Sequence, residues 1–327
     1  MSPVRSAEAA AVSGRGPGHP GASTQTPGSP AIHAIELRKR YRTTVALDGL
    51  SMTVERGEVF GFLGPNGAGK TTAVKLLLGL ARPSGGEAMV LGAPAGDLAA
   101  RRQIGYLPEL FRFQSWLNAR EVLILHCRLR QLPRARWADA IGAALHTVGL
   151  ADRADDKVGT FSKGMQQRLG LGVALLGEPA LVVLDEPTSA LDPVGRHQVR
   201  TVIRSLRDRG TTVFLNTHLL EEAEHVCDRV TIISHGRSVA SGTLGEMKSL
   251  RPGVRLRVGG LPGEWWQPLA EFGRWTPQGD WLQVEDMAPG RVPDLVGAIV
   301  ALGGLIEAVV PVHQSLEDRF LELLGES

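Results

Sequence analysis

The chain has 327 residues, 43% hydrophobic and 21% charged, with a formal net charge of +2. That length can bury a sizeable core in one or two domains, and the composition is that of a soluble globular protein. The small net charge excludes a nucleic-acid binder built on bulk basicity, and two cysteines without metal-ligand spacing, Cys127 and Cys227, exclude a disulfide framework and fit a reducing compartment.

Charge is unevenly spread. Residues 1–250 carry a net +7 and residues 251–327 a net −5, so the longer part suits an anionic ligand such as a nucleotide. The N-terminal stretch is rich in Gly, Pro, Ser and Thr and lacks the apolar centre of a signal peptide. Residues 1–30 are therefore expected to be a disordered tail. The longest uncharged apolar run, Leu295 to Ile306, has twelve residues and three glycines, short of the roughly 20 a membrane-spanning helix needs.

From Ile32 the pattern alternates as a strand, and Leu50–Val54 and Val59–Leu63 read as two more. A helix is expected from Gly69 to about Leu78, a turn at Gly85-Gly86-Glu87, and a strand at Ile104–Leu107 stopped by Pro108. From Asn118 to Gly149 the pattern changes to helical period, with Leu123, Leu129, Ile141 and Leu145 as core candidates and Cys127 within a helix, inside an all-helical insertion at about 110 to 175. Leu181–Leu184 is an unbroken aliphatic run, the mark of a buried parallel strand. A helix at Val194–Arg207, a strand at Thr211–Asn216 and a further helix holding Cys227 follow, then two short strands around the turn His235-Gly236. A break near Leu250–Gly253 leads to a segment holding four of the six tryptophans, expected to fold as a small α+β domain with a final helix Ser315–Leu324.

The chemistry sits in two places. Gly64-Pro65-Asn66-Gly67-Ala68-Gly69-Lys70-Thr71 fits G-x-x-x-x-G-K-[ST] between a strand and a helix, and Thr72 follows. Its glycines let backbone N–H groups curl around a phosphate, and the helix N-terminus adds partial positive charge. In that pattern Lys70 reaches the β- and γ-phosphates of a nucleotide, and the Thr71 hydroxyl is a Mg²⁺ ligand. Asp185 and Glu186 end the aliphatic strand, at the sheet edge where ligands of open α/β sheets collect. Asp185 suits Mg²⁺, and Glu186 suits a general base for the attacking water.

These motifs, in this order over about residues 32 to 245, resemble the ATP-binding subunits of ABC transporters. The resemblance implies an α/β P-loop ABC ATPase domain at residues 31–250, with an antiparallel β subdomain and a helical subdomain at about 110–175. Residues 251–327 would be a C-terminal accessory domain. It makes Tyr41 the aromatic that stacks on adenine. Phe161-Ser162-Lys163-Gly164-Met165-Gln166-Gln167, with Ser162 lying 23 positions before Asp185, stands for the signature. Ser189-Ala190-Leu191-Asp192 looks like the D-loop, and His218 matches the switch histidine that contacts the γ-phosphate. Glu109 stands where the family usually presents a glutamine to Mg²⁺ and water, while Lys163 and Met165 depart from the common signature.

The resemblance further implies a head-to-tail dimer in which Ser162 and Gly164 of one subunit cap ATP held by residues 64–72 of the other. The second subunit would be another copy or a homologous ATPase. The permease would be a separate transmembrane polypeptide, docked near Glu109–Trp116 on the cytoplasmic side of the cell membrane. Pro311–Phe320 looks like the closing helix of the drug and antibiotic exporter ATPases. The alternative is a soluble ATPase of the same type acting on ribosomes or DNA. Against it stand a single phosphate loop and only 92 positions between Lys70 and Ser162, without sustained heptads.

Overall fold

The computed structural model describes residues 28–189, 191–248, 253–288, 290–312 and 315–325. The predicted tail up to residue 27, Ala190, positions 250–252 of the predicted break, and His313 and Gln314 lie outside the described residues.

Strands β1 (Ile32–Tyr41) and β2 (Thr44–Val54) pair antiparallel. Alternation drives them: Ile32, Ala34 and Leu37 of β1 and Leu47, Leu50, Met52 and Val54 of β2 are buried. Strand β3 (Val59–Leu63), buried at every position, leads through the glycine loop into helix α1 (Lys70–Leu77). Strands β4 (Gly85–Val90) and β5 (Ala93–Pro94) complete a sheet of order β2-β1-β4-β5. The expected turn at Gly85-Gly86 is instead the start of β4. Gly86 has φ +72°, and a Cβ there would lie 2.1 Å from the Glu36 carbonyl oxygen, so this glycine allows a bulge against β1. Helix α2 (Leu98–Arg102), capped by Asp97, precedes strand β6 (Ile104–Leu107).

Three helices follow: α3 (Ala119–Leu129), α4 (Trp137–Thr147) and α5 (Lys163–Leu175). Asn118 and Glu121 cap α3 reciprocally. Leu123, Cys127, Ile141 and Leu145 are buried as expected, but Leu129 is 68% exposed. Position 129 lies seven residues, about 20° around the helix, from Val122 and so keeps to the edge of the buried stripe; it is the last residue of α3, and its side chain reaches the surface there.

Strand β7 (Leu181–Asp185), helix α6 (Pro193–Asp208), strand β8 (Thr212–Thr217) and helix α7 (Leu220–Val226) come next. They are followed by strands β9 (Arg229–Ser234) and β10 (Arg237–Thr243) and helix α8 (Leu244–Lys248). The central sheet has order β10-β9-β3-β8-β7-β6, parallel except for the β10 edge. Phe60, Phe62 and Phe214 stack across its centre, with ring centroids 5.4 and 5.9 Å apart. Cys227 does not lie within a helix. It follows α7 in extended backbone, and full burial pushes its thiol up.

A third core belongs to strand β11 (Gly253–Gly259), the short helix α9 (Trp266–Leu269), strands β12 (Arg274–Gln278) and β13 (Trp281–Glu285), helix α10 (Val292–Ala301) and strand β14 (Leu305–Val312). Their sheet order, β12-β13-β11-β14, is that of a split β-α-β unit. Trp265 and Trp275 pack edge to face at 5.0 Å against this core, and the Arg255 guanidinium lies over the Trp281 ring. Helix α11 (Leu316–Leu324), capped by Ser315 and Asp318, then lies against α7 and α8. Its Leu316 is fully buried in the large core that also holds β3, β7 and β8 residues.

Candidate active site

The glycine loop sits between β3 and α1, and its glycines have specific causes. A Cβ at Gly64 would lie 2.4 Å from the Ile233 carbonyl oxygen. Gly69, the α1 N-cap, has φ +106°, and a Cβ there would lie 2.4 Å from the Ala46 carbonyl oxygen of β2. Only glycine fits such a φ and such backbone contacts. The Ala68 carbonyl accepts the Gly236 N–H at 2.9 Å, which ties the loop to the β9–β10 turn. Lys70 is buried, its ammonium donating to the Gly64 and Pro65 carbonyls at 2.6 and 3.1 Å. Burial lowers its pKa, while Glu186, Asp185 and Glu109 oppose that shift.

The two carboxylates lie at the end of β7, beside the last residues of β8. Asp185 accepts a hydrogen bond from the Asn216 side-chain amide at 2.5 Å. Burial raises its pKa; the Asn216 bond lowers it, Glu109 and Glu186 raise it further, and Lys70 lowers it. Glu186 has φ +51°, a left-handed conformation that costs a glutamate energy and marks a constrained site. Three bonds hold it there. Its N–H donates to the Asn216 carbonyl at 2.9 Å, and its carboxylate accepts from the Thr217 hydroxyl at 3.3 Å and the His218 ring at 2.8 Å. A carboxylate only accepts, so Nδ1 of His218 carries the proton in this contact.

Lys70, Asp185, Glu186, His218 and Glu109 thus share one electrostatic site. Thr71 and Thr72 lie in the first turn of α1, which packs on β7. Tyr41 stands apart, half-exposed at the end of β1 with the Lys39 ammonium 4.8 Å from its ring centre. Asp192 caps α6, its carboxylate accepting the Gly195 N–H at 2.8 Å. Ser162 caps α5, accepting the Met165 N–H at 3.2 Å, and it is exposed, as is Lys163. Among the described residues, no hydrogen bond or ion pair joins positions 162–164 to the glycine loop.

Sequence reasoning named His218 but gave no role to Asn216 and Thr217 before it, or to Tyr106. Tyr106 lies against Asp185, and burial together with the Asp185 and Glu109 carboxylates pushes its phenol up to about 12. The available signal was a polar pair ending the apolar strand Val213–Leu215.

The donors fit Mg²⁺. Asp185, Glu109 and the Thr71 hydroxyl are hard oxygens, the ligands this ion takes. Among the described residues no group of three or more His, Cys, Asp or Glu could cage a metal. Mg²⁺ held with a nucleotide keeps several water and phosphate ligands beside one or two from the protein. The buried Asn216 side-chain oxygen, which has no hydrogen-bond partner, leaves an acceptor for such a water.

Comparison with known proteins agrees with this geometry. The ABC transporter family profile matches residues 47–189. An uncharacterized ABC transporter ATP-binding protein of Nostoc sp. is 40% identical over 304 residues, which cover 89% of this chain and 88% of that one. The Nod factor export ATP-binding protein I of Sinorhizobium fredii is 42% identical over 74% of this chain and 72% of its own. A solved ATP-binding subunit of an ABC transporter is similar in fold, with a TM-score of 0.60 and 32% identity over 66% of this chain and 91% of its own. A dimeric ATP-binding cassette bound to ADP and Pi, 24% identical, shares the fold with a TM-score of 0.59 over 65% of this chain and 98% of its own. The chain belongs to the ATP-binding subunits of ABC transporters, a family of P-loop ATPases. Among the described residues no helix is long and apolar enough to cross a membrane.

Proposed function

We propose that this subunit hydrolyses ATP in a head-to-tail pair, with a second copy or a homologous ATPase. The pair would drive export through a separate permease from the cytoplasmic side of the cell membrane. The carrying observation is the division of the site. The loop, the two carboxylates and His218 converge, while Ser162 and Gly164 stand apart at the α5 N-terminus. The packing of this chain does not require glycine at 164: a Cβ there would meet only Leu191 Cδ2 at 3.7 Å and Ser162 Oγ at 3.9 Å. A glycine unneeded by its own chain makes sense where another molecule, here the partner-bound nucleotide, comes close.

In this reading residues Gly64–Thr72 bind the phosphates and Lys70 holds the β- and γ-oxygens. Tyr41 stacks on adenine and Asp192 lies at the dimer seam. Thr71, Asp185 and Glu109 would hold Mg²⁺, which when bound neutralises charge developing on the phosphate oxygens. Glu186 takes the proton of the attacking water at its carboxylate, with Thr217 and His218 fixing its orientation. Closure of the pair excludes water from the site.

Docking to a permease is supported by Leu110 and Trp116, which are 86% and 70% exposed on the loop after β6. Export is supported by the likeness to a Nod factor export ATP-binding protein and by the closing helix. The test is expression with and without a candidate permease. Recovery in membranes only with the permease, together with Mg-ATP turnover, is the expected result. Recovery in ribosome fractions would instead support the soluble alternative.

A further inference from the structure

We infer that Asn216 is a positioning residue for the metal-binding carboxylate, and that its side-chain oxygen accepts a hydrogen bond from a water carried by the ion. This rests on the reading of the site as a Mg-ATP site. Asn216 is the penultimate residue of β8, opposite Asp185 in register, and is 1% exposed. Its side-chain NH₂ donates to Asp185 Oδ1 at 2.5 Å, and its main-chain carbonyl accepts the Glu186 N–H at 2.9 Å. One residue therefore fixes the side chain of the first carboxylate and the backbone of the second.

The amide orientation is dictated by chemistry. Reversed, it would set a carbonyl oxygen against a carboxylate oxygen, two acceptors with no proton between them. With the NH₂ towards Asp185, Oδ1 is left buried and without a partner. Buried polar atoms in folded proteins are nearly always satisfied, and an exception calls for an explanation. Within the site the Thr217 hydroxyl is given to Glu186 and the Lys70 ammonium to the Gly64 and Pro65 carbonyls, and among the described residues no group donates to this atom. A donor arriving with the ligand completes the set, and the hydration shell of Mg²⁺ supplies one.

Groups that orient metal ligands typically contribute 10–100-fold in metal affinity. The experiment uses the full chain and calorimetric titration with ATP, once in EDTA and once over a Mg²⁺ series. Asn216→Ala and the isosteric Asn216→Asp are compared with Thr212→Val, a buried strand substitution at the opposite end of β8 that serves as the folding control. The expected result has three parts. ATP binding in EDTA stays within about 2-fold in every variant. The Mg²⁺ concentration for half-maximal enhancement rises about 10-fold or more in both Asn216 variants. Thr212→Val lowers thermal stability without moving that concentration.

An unchanged Mg²⁺ requirement in both Asn216 variants overturns the inference and leaves the ATPase reading standing. Equal loss of binding in EDTA and Mg²⁺ also overturns it, by showing a merely structural role. A wild-type chain that binds no ATP under either condition overturns the underlying reading itself.

Discussion

The Leu316 backbone N–H donates to a Glu224 side-chain oxygen at 2.6 Å, and the other oxygen of that carboxylate pairs with Lys248 at 3.1 Å. Chain positions 92 apart thereby join at one carboxylate. Glu224 lies on α7, the helix that starts two residues after His218. The fully buried Leu316 anchors α11 to α7 and α8, with Phe320 and Leu323 packed behind it. Leu316→Ala should cost about 2–5 kcal/mol of local stability, the usual loss for a buried leucine. Amide hydrogen exchange checks this, with faster exchange expected in both α11 and α7. Glu224→Gln keeps an acceptor and loses only the partly exposed ion pair, so its effect should stay below about 1 kcal/mol.

Glu186→Gln removes the proposed base and keeps the shape. Turnover should fall by about 10²-fold or more while Mg-ATP binding persists, and a dimer should accumulate in size-exclusion chromatography with ATP. His218→Ala removes the 2.8 Å contact that holds Glu186, and should lower kcat with little change in KM for ATP. Unimpaired turnover in Glu186→Gln would remove that residue from its proposed role.

Lys70→Ala removes the cation of the phosphate loop. Its neighbours are the Gly64 and Pro65 carbonyls, so the loop loses internal bonds as well as charge. Hydrolysis should be abolished, and ATP affinity should fall, as read by calorimetry.

Gly164→Ala separates the needs of the chain from those of a pair. Within α5 there is room for the methyl group, and alanine is favoured over glycine in a helix by about 0.5–1 kcal/mol. The variant should be as stable as the wild type or more so, yet hydrolyse ATP more slowly. Ser162→Arg should leave ATP binding intact and abolish turnover. Mixing Ser162→Arg with Lys70→Ala should restore part of the activity, because in the proposed head-to-tail arrangement a mixed pair keeps one composite site whole.

The sheet strands and the phosphate loop were legible because their signals are local. Four aliphatics ending in Asp185-Glu186, and glycines framing Lys70, declare themselves within ten residues. The errors came where position depends on distant packing. Leu129 has a core residue's chemistry and spacing, but it is the last residue of α3 and lies at the surface. Gly85-Gly86 has turn composition, but it pairs with β1 through a bulge. Cys227 has helical neighbours, but it stands just past the end of α7.

The sequence by itself determined the kind of chemistry: residue types at fixed spacing state a phosphate cradle and a carboxylate pair, and the resemblance to ABC ATPases added the histidine. Only the tertiary structure decided how they are held. The parallel pairing of β7 with β8 brings Asn216 and Thr217 onto Asp185 and Glu186. Such contacts span 31 positions, and no local pattern encodes them. They arise because two strands, each buried on both faces, have to align their main-chain hydrogen bonds, and that register places the polar residues at their ends side by side.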